Sequence, residues 1–146
     1  MEIPYEIKET VLGKGLFTLS FVKSGTRIWT YRLNLNVLEY DENESNIYLN
    51  ILSKDKQREF LDYSFGRGEK LCLILDDGVY INHGLGNYSN CNTCTKTGDC
   101  FAWRDIEAGE EIFEDYTSFT HPPFLLKLLE KYEAMPDYYP IRGDSL

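Results

Sequence analysis

The stretch Leu75 to Asn90, LDDGVYINHGLGNYSN, restricts what this chain can fold into more than any other part of it. It runs apolar into Asp76-Asp77-Gly78, resumes with Val79-Tyr80-Ile81, and sets Asn82 and His83 directly after that β-type run. Two side chains so rich in hydrogen-bonding capacity at the end of a strand suggest a site. The plainer reading is that both serve backbone groups, as most buried polar side chains do. A second stretch, Glu107 to Tyr116 (EAGEEIFEDY), alternates Ile112, Glu114 and Tyr116 on one face with Phe113 and Asp115 on the other. That is the period of two of a strand, and it delivers a tyrosine at the strand's end. A third piece, Gly13-Lys14-Gly15-Leu16-Phe17, places two glycines two apart, a weak signal on its own that reads as a turn leading into Leu16–Val22.

Taken in this order, GKGLF, the INH pair with Ser89-Asn90-Cys91 downstream, and GEEIFEDY resemble the SET-domain protein lysine methyltransferases, over about residues 8 to 119. The likeness is greatest to small stand-alone SET proteins of microbial type without flanking zinc segments. It implies S-adenosylmethionine as cofactor, with its amino-acid end against backbone groups near Lys14, Gly15 and Leu16. It places Asn82 near the cofactor ammonium, His83 at the adenine mainly through its backbone, and Phe119 on the adenine ring. Tyr116 becomes the catalytic residue, orienting a lysine ε-amine and the methyl group, while Tyr31, Tyr63 and Glu114 fall along the substrate channel. For Tyr31, packing beside Trp29 is an equal reading, and Tyr63 is of a kind that commonly just packs. Three departures stand out. Gly84 takes the place of the serine that usually follows Asn-His, Gly86 to Ser89 lengthens the next loop, and Glu114 occupies a position that is commonly aromatic or uncharged. A carboxylate in the channel would attract a substrate ammonium and raise its pKa, opposing the deprotonation that transfer requires. A surface carboxylate at a strand end is the alternative.

Composition is consistent with one domain. At 146 residues the chain is long enough to bury a single core, and hydrophobic residues at 42% are ordinary for a globular protein. No apolar run approaches the ~20 residues needed to span a bilayer. The start, MEIPYEIKE, has no apolar signal-type core, so a soluble intracellular protein, cytoplasmic or nuclear, is expected. A net charge of -9 argues against direct nucleic-acid binding and suits a lysine-bearing basic protein or peptide as partner, although such charge also serves solubility. Cys91, Cys94 and Cys100 have spacing that could begin a zinc site, but a fourth ligand is missing: Cys72 precedes the Asn-His element and no cysteine follows Cys100. Reduced thiols and no metal are the expectation, and without a secretory signal no disulfide framework.

The expected fold is α+β, mostly β with minor α. It has small curved sheets, an insert helix at about 53–65 capped by Ser53, a C-terminal helical flank at about 121–135 and, by the resemblance, a pseudoknot-like threading. Strands are predicted at Tyr5–Leu12, Arg27–Tyr31, Leu71–Leu75 and Cys100–Trp103, a solvated connection over Asn34–Asn50, a loop over Cys91–Asp99 and an extended tail from Asp137. Leu125, Leu128, Leu129 and Tyr132 form a helical stripe read as core. Two other functions remain open. One is a catalytically inactive SET-like module binding basic peptides. The other is a small interaction domain stabilised by zinc on Cys91, Cys94 and Cys100.

Overall fold

A computed structural model describes residues 1–11 and 13–136. In chain order the elements are β1 (Tyr5–Thr10), β2 (Gly13–Thr18), β3 (Arg27–Trp29), β4 (Val37–Tyr40), α1 (Glu42–Ile51), α2 (Lys54–Asp62), β5 (Ser64–Arg67), β6 (Lys70–Ile74), β7 (Asn82–His83), β8 (Cys91–Thr93), β9 (Cys100–Ala102), β10 (Phe113–Glu114) and α3 (Phe124–Lys131). The mostly β architecture with three helices agrees with the expected fold class. The chain forms two compact units, residues 1–32 with 75–116 and residues 33–74 with 117 onward. None of the helices among the described residues is long and apolar enough to cross a membrane.

The first unit is built on two sheets. β1 and β2 pair as an antiparallel hairpin with Ile7 opposite Leu16 and Lys8 opposite Gly15. Leu16, fully buried, anchors it. Gly13 to Gly15 is therefore strand, and the turn lies just before it. The free edge of β2 continues into residues 109–112: Thr18 N–H donates to the Glu110 carbonyl and Ile112 N–H to that of Leu16. The second sheet runs β3-β9-β8-β10-β7. β10 lies parallel to both β7 and β8, between them, so the connection 84–90 from β7 to β8 passes over β10. Threading of this kind is rare because it has to be assembled in order. Asn90 secures it: wholly buried, it accepts from Phe113 N–H at 2.9 Å and donates from Nδ2 to the Glu111 carbonyl at 2.8 Å.

Several expectations are corrected here. Val79 and Tyr80 are not extended: Asp77–Tyr80 is a 3-10 turn capped by Asp76, whose carboxylate also accepts from the Trp29 indole at 2.9 Å, and the backbone becomes extended at Ile81. The short polar side chain of Asp76 offers the backbone a local bond that competes with a strand ladder. Cys91–Thr93 is strand rather than loop. In the EEIFEDY run Phe113–Glu114 forms the strand, Glu111 makes a single bridge to Phe17, and Tyr116 opens a 3-10 turn, Tyr116–Ser118.

In the second unit β4-β6-β5 form an antiparallel sheet, with Glu39 opposite Cys72 and Phe65 opposite Cys72 on the other side. Its core joins Leu49, Phe60, Leu61 and Leu71 to Phe124, Leu125, Leu128 and Leu129. Each such side chain contributes ~1.5–3 kcal/mol on burial. The helical stripe after Pro123 is core as expected, with Tyr132 packed against it. Ser53 caps α2, accepting from Lys56 N–H at 3.4 Å, but the helix stops at Asp62 and Phe65 belongs to β5. The acidic run 34–50 is not a solvated connection: it holds β4 and α1, with Asp41 and Glu44 closing a reciprocal capping box. The tail expected to be extended, Asp137–Leu146, lies outside the described residues.

Candidate functional site

The sequence brings its singled-out residues together in the first unit through β10. Parallel pairing puts Phe113 beside Asn82 and Glu114 beside His83. The half-buried Asn82 side chain then turns toward β2: its Nδ2 donates to the Lys14 carbonyl at 3.0 Å and to Glu111 Oε1 at 2.9 Å. Lys14, Gly15 and Leu16 lie on the same edge, where Phe17 bridges Glu111. Gly15 is needed for space, not for a turn. A Cβ there would stand 2.3 Å from Glu111 Oε1 and 2.9 Å from its Cδ. Sequence reasoning missed Glu111, one acid among several in EAGEEIFED. Its distinguishing feature, facing a glycine across a strand pairing, is visible only in three dimensions.

Gly84 has a similar cause. Its N–H donates to the Glu114 carbonyl at 3.0 Å, and a Cβ would meet that of Phe113 at 2.8 Å. The absence of the usual serine thus follows from close passage of the connection over β10. The lengthened loop beyond it is ordered by side chains: Gly86 N–H donates to Asp115 Oδ2 at 3.0 Å, Ser89 Oγ donates to the Gly86 carbonyl at 2.7 Å, and the Trp103 indole donates to Ser89 Oγ at 3.1 Å.

Tyr116 is held at both ends. Its backbone N–H donates to His83 Nδ1 at 3.0 Å, and its hydroxyl donates to the Ile81 carbonyl. Because Nδ1 accepts that bond, it carries no proton there, and the 4.0 Å approach of Asp115 Oδ1 to it is not an ion pair. His83 and Tyr116 rings lie 5.3 Å apart at centroids. The result is a phenol fixed beside the Ile81 carbonyl, while the next residue, Asn82, is tied to the Lys14 carbonyl and the Glu111 carboxylate.

The remaining predicted residues are placed otherwise. Tyr31, half-buried, donates its N–H to Asp99 Oδ1 at 2.8 Å and sets its ring edge-on to Trp29. Tyr63 and Phe119 belong to the second unit. There Tyr63 ends α2, and Phe119 packs on Phe65 at 5.4 Å. Glu114 is not on the surface: it is 5% exposed, and burial, only partly offset by hydrogen bonds from Thr93, pushes its carboxyl up to about 7. Cys91 and Cys100 are buried with it, whereas Cys94 sits in the following turn, where hydrogen bonds from Thr97 and Lys96 hold its thiol below the usual range.

Compared with known proteins, residues 13–117 match the SET domain family model. Similar solved structures include a Plasmodium falciparum protein provisionally described as a histone methyltransferase, with 18% identity and TM-score 0.52, the match covering 80% of this chain and 95% of that one. They also include a chain of ctPRC2 in an autoinhibited conformation bound to S-adenosylmethionine, with 20% identity and TM-score 0.64 over 91% of this chain. A third is a chain of the humanized mutant of Chaetomium thermophilum Polycomb Repressive Complex 2 bound to the inhibitor GSK126, with 21% identity and TM-score 0.60 over 87% of this chain. The match spans 17% and 16% of the length of those two chains. Comparison with curated protein sequences gives no match.

Proposed function

Because the chain belongs to the SET-domain family, we propose that it is an S-adenosylmethionine-dependent protein-lysine N-methyltransferase acting on a lysine-bearing basic protein or peptide. The observation that carries this reading is the double anchoring of Tyr116, by His83 Nδ1 and the Ile81 carbonyl. Together the two bonds fix the ring and its hydroxyl, as the alignment of a reacting amine requires. When bound, the cofactor supplies a methyl group on a positively charged sulfur, open to in-line attack by a lysine ε-amine.

The donor set suits that cofactor. The Lys14 carbonyl and Glu111 carboxylate, both tied to Asn82, are acceptors of the kind an α-ammonium group requires. Tyr116 and the Ile81 carbonyl would align the amine and turn negative dipoles toward the partly positive methyl hydrogens. Fixed alignment supplies a large share of the acceleration in such a displacement. The amine must arrive neutral although its reference pKa is ~10.4, which a poorly hydrated channel beside a cationic sulfur favours. The role of Phe119 against adenine, and of Tyr31 and Tyr63 at the substrate, rests on the family resemblance alone. So does the single SET-like domain, supported by a family match that runs through both units.

The test is transfer from labelled S-adenosylmethionine to a panel of lysine-rich proteins and peptides, with cofactor binding measured separately by calorimetry. Tyr116→Phe should lower transfer by ~100-fold or more, as loss of a single preorganised polar group does, with cofactor affinity nearly unchanged. Undiminished transfer in the mutant would refute the role of Tyr116. A parent that binds no S-adenosylmethionine would instead favour an inactive SET-like module that binds basic peptides.

A further inference from the structure

β8, β9 and β10 converge on a buried group that the transfer chemistry does not use. Cys91 pairs with Ala102 and Cys100 with Thr93 across β8 and β9, while Cys91 also pairs with Glu114 in the parallel ladder. Paired residues in a sheet share a face, so Cys91, Cys100 and Glu114 project together. Their two Sγ atoms and a carboxylate oxygen all lie within 4.8 Å of one another. The exposures are 1%, 2% and 5%. Glu114 Oε1 has no hydrogen-bond partner, which is costly for a carboxyl group removed from water. A leucine would fill this position in the core without that cost.

We propose that Cys91, Cys100 and Glu114 form a structural site for a thiophilic divalent cation, with zinc as its occupant. Thiolate sulfur and carboxylate oxygen are both ordinary zinc ligands, at ~2.3 Å and ~2.0–2.2 Å. Two sulfurs on one tetrahedral zinc stand about 3.8 Å apart, so the sulfurs need approach by at most about 1 Å. A chelating carboxylate supplies the fourth donor atom. On binding, both thiols release their protons to solvent, as does the carboxyl where it carries one, and the ion's two positive charges offset two of the three negative charges left behind. No electron is transferred. The set differs from the Cys91, Cys94 and Cys100 trio suggested by spacing. Cys94 is outside the group, in a turn where its N–H donates to the Asp99 carbonyl and its carbonyl accepts from Gly98 N–H. The site also gives Glu114 a role apart from the substrate channel.

The experiment uses the full chain purified without chelator. Metal content is measured by elemental analysis, and cobalt is titrated in so that the thiolate-to-cobalt charge-transfer band reports sulfur ligation. Stoichiometric zinc, exchangeable for cobalt with that band, is expected. Cys91→Ser, Cys100→Ser and the nearly isosteric Glu114→Gln should each weaken binding by at least ~10-fold, and Cys94→Ser should leave it unchanged. Circular dichroism selects the folded variants, and Glu114→Gln keeps the test alive if a serine variant does not fold. Parent protein that takes up neither zinc nor cobalt would overturn the proposal. So would a site lost with Cys94→Ser or retained in folded Glu114→Gln.

Discussion

At the scale of single residues, the contact between Gly15 and Glu111 is the most exacting in the candidate cofactor site. The Glu111 carboxylate is the end of a flexible side chain, so Gly15→Ala need not shift the backbone. It must push the carboxylate off Asn82, forfeiting the 2.9 Å bond at a cost of ~1.5–3 kcal/mol for a charged acceptor. Gly15→Ala should therefore lower both stability and S-adenosylmethionine affinity. Adding Glu111→Ala should restore part of the stability, because the space is freed, but not the affinity. Additive losses in denaturation of the single and double variants would show that the two residues do not interact. The same contact explains what could be read at this scale. Asn82, His83 and Tyr116 were singled out because the motifs that hold them resemble a known family, since polarity and spacing alone favoured a packing role for each. The partners of Glu111 and Asn90 could not be read, because Gly15 and Phe113 are distant in sequence and brought close only by the fold.

Elements were legible where apolar periodicity was strong, as in α3, and illegible where charge masked it. α1 carries only Ser45 and Leu49 as buried residues among exposed Ile47, Ile51 and acidic side chains, so its stripe is thin. What specifies it is the cap. Asp41 accepts from Glu44 N–H at 2.8 Å while Glu44 Oε1 accepts from Asp41 N–H at 3.1 Å. The bond from the Glu44 backbone holds the Asp41 carboxyl below its ordinary value, with the Glu44 side chain adding to it. A folded-state pKa below the unfolded one means stability that is present above the unfolded value, ~3.9, and lost as pH falls through the folded one. Asp41→Asn keeps a capping acceptor that does not titrate. Urea unfolding of the variant, followed from about pH 5 to about pH 2, should show a shallower acid-side decline than the parent, steeper slopes being the pH signature of the carboxylate. Equal slopes would mean that the Asp41 charge adds nothing to the cap beyond what a neutral acceptor supplies.

At the scale of the whole molecule, the acidic balance was legible from composition alone, but its consequence depends on what the protein binds. Twenty-four acidic against 15 basic side chains give a net charge of -9. If the substrate is a lysine-rich chain, this field speeds encounter, and salt screens it with a Debye length of ~10 Å at 0.1 M. The proposed cofactor contacts are hydrogen bonds from its ammonium group to the Lys14 carbonyl and the Glu111 carboxylate, which salt weakens far less at contact distance. Raising ionic strength from ~0.05 to ~0.5 M should lower kcat/KM for a lysine-rich peptide several-fold while leaving the cofactor Kd within about twofold. An otherwise matched peptide with one lysine in a neutral context should show almost no such dependence. If both peptides respond alike, the charge serves solubility rather than substrate capture, and the preference for a basic partner has to come from side chains that touch the substrate.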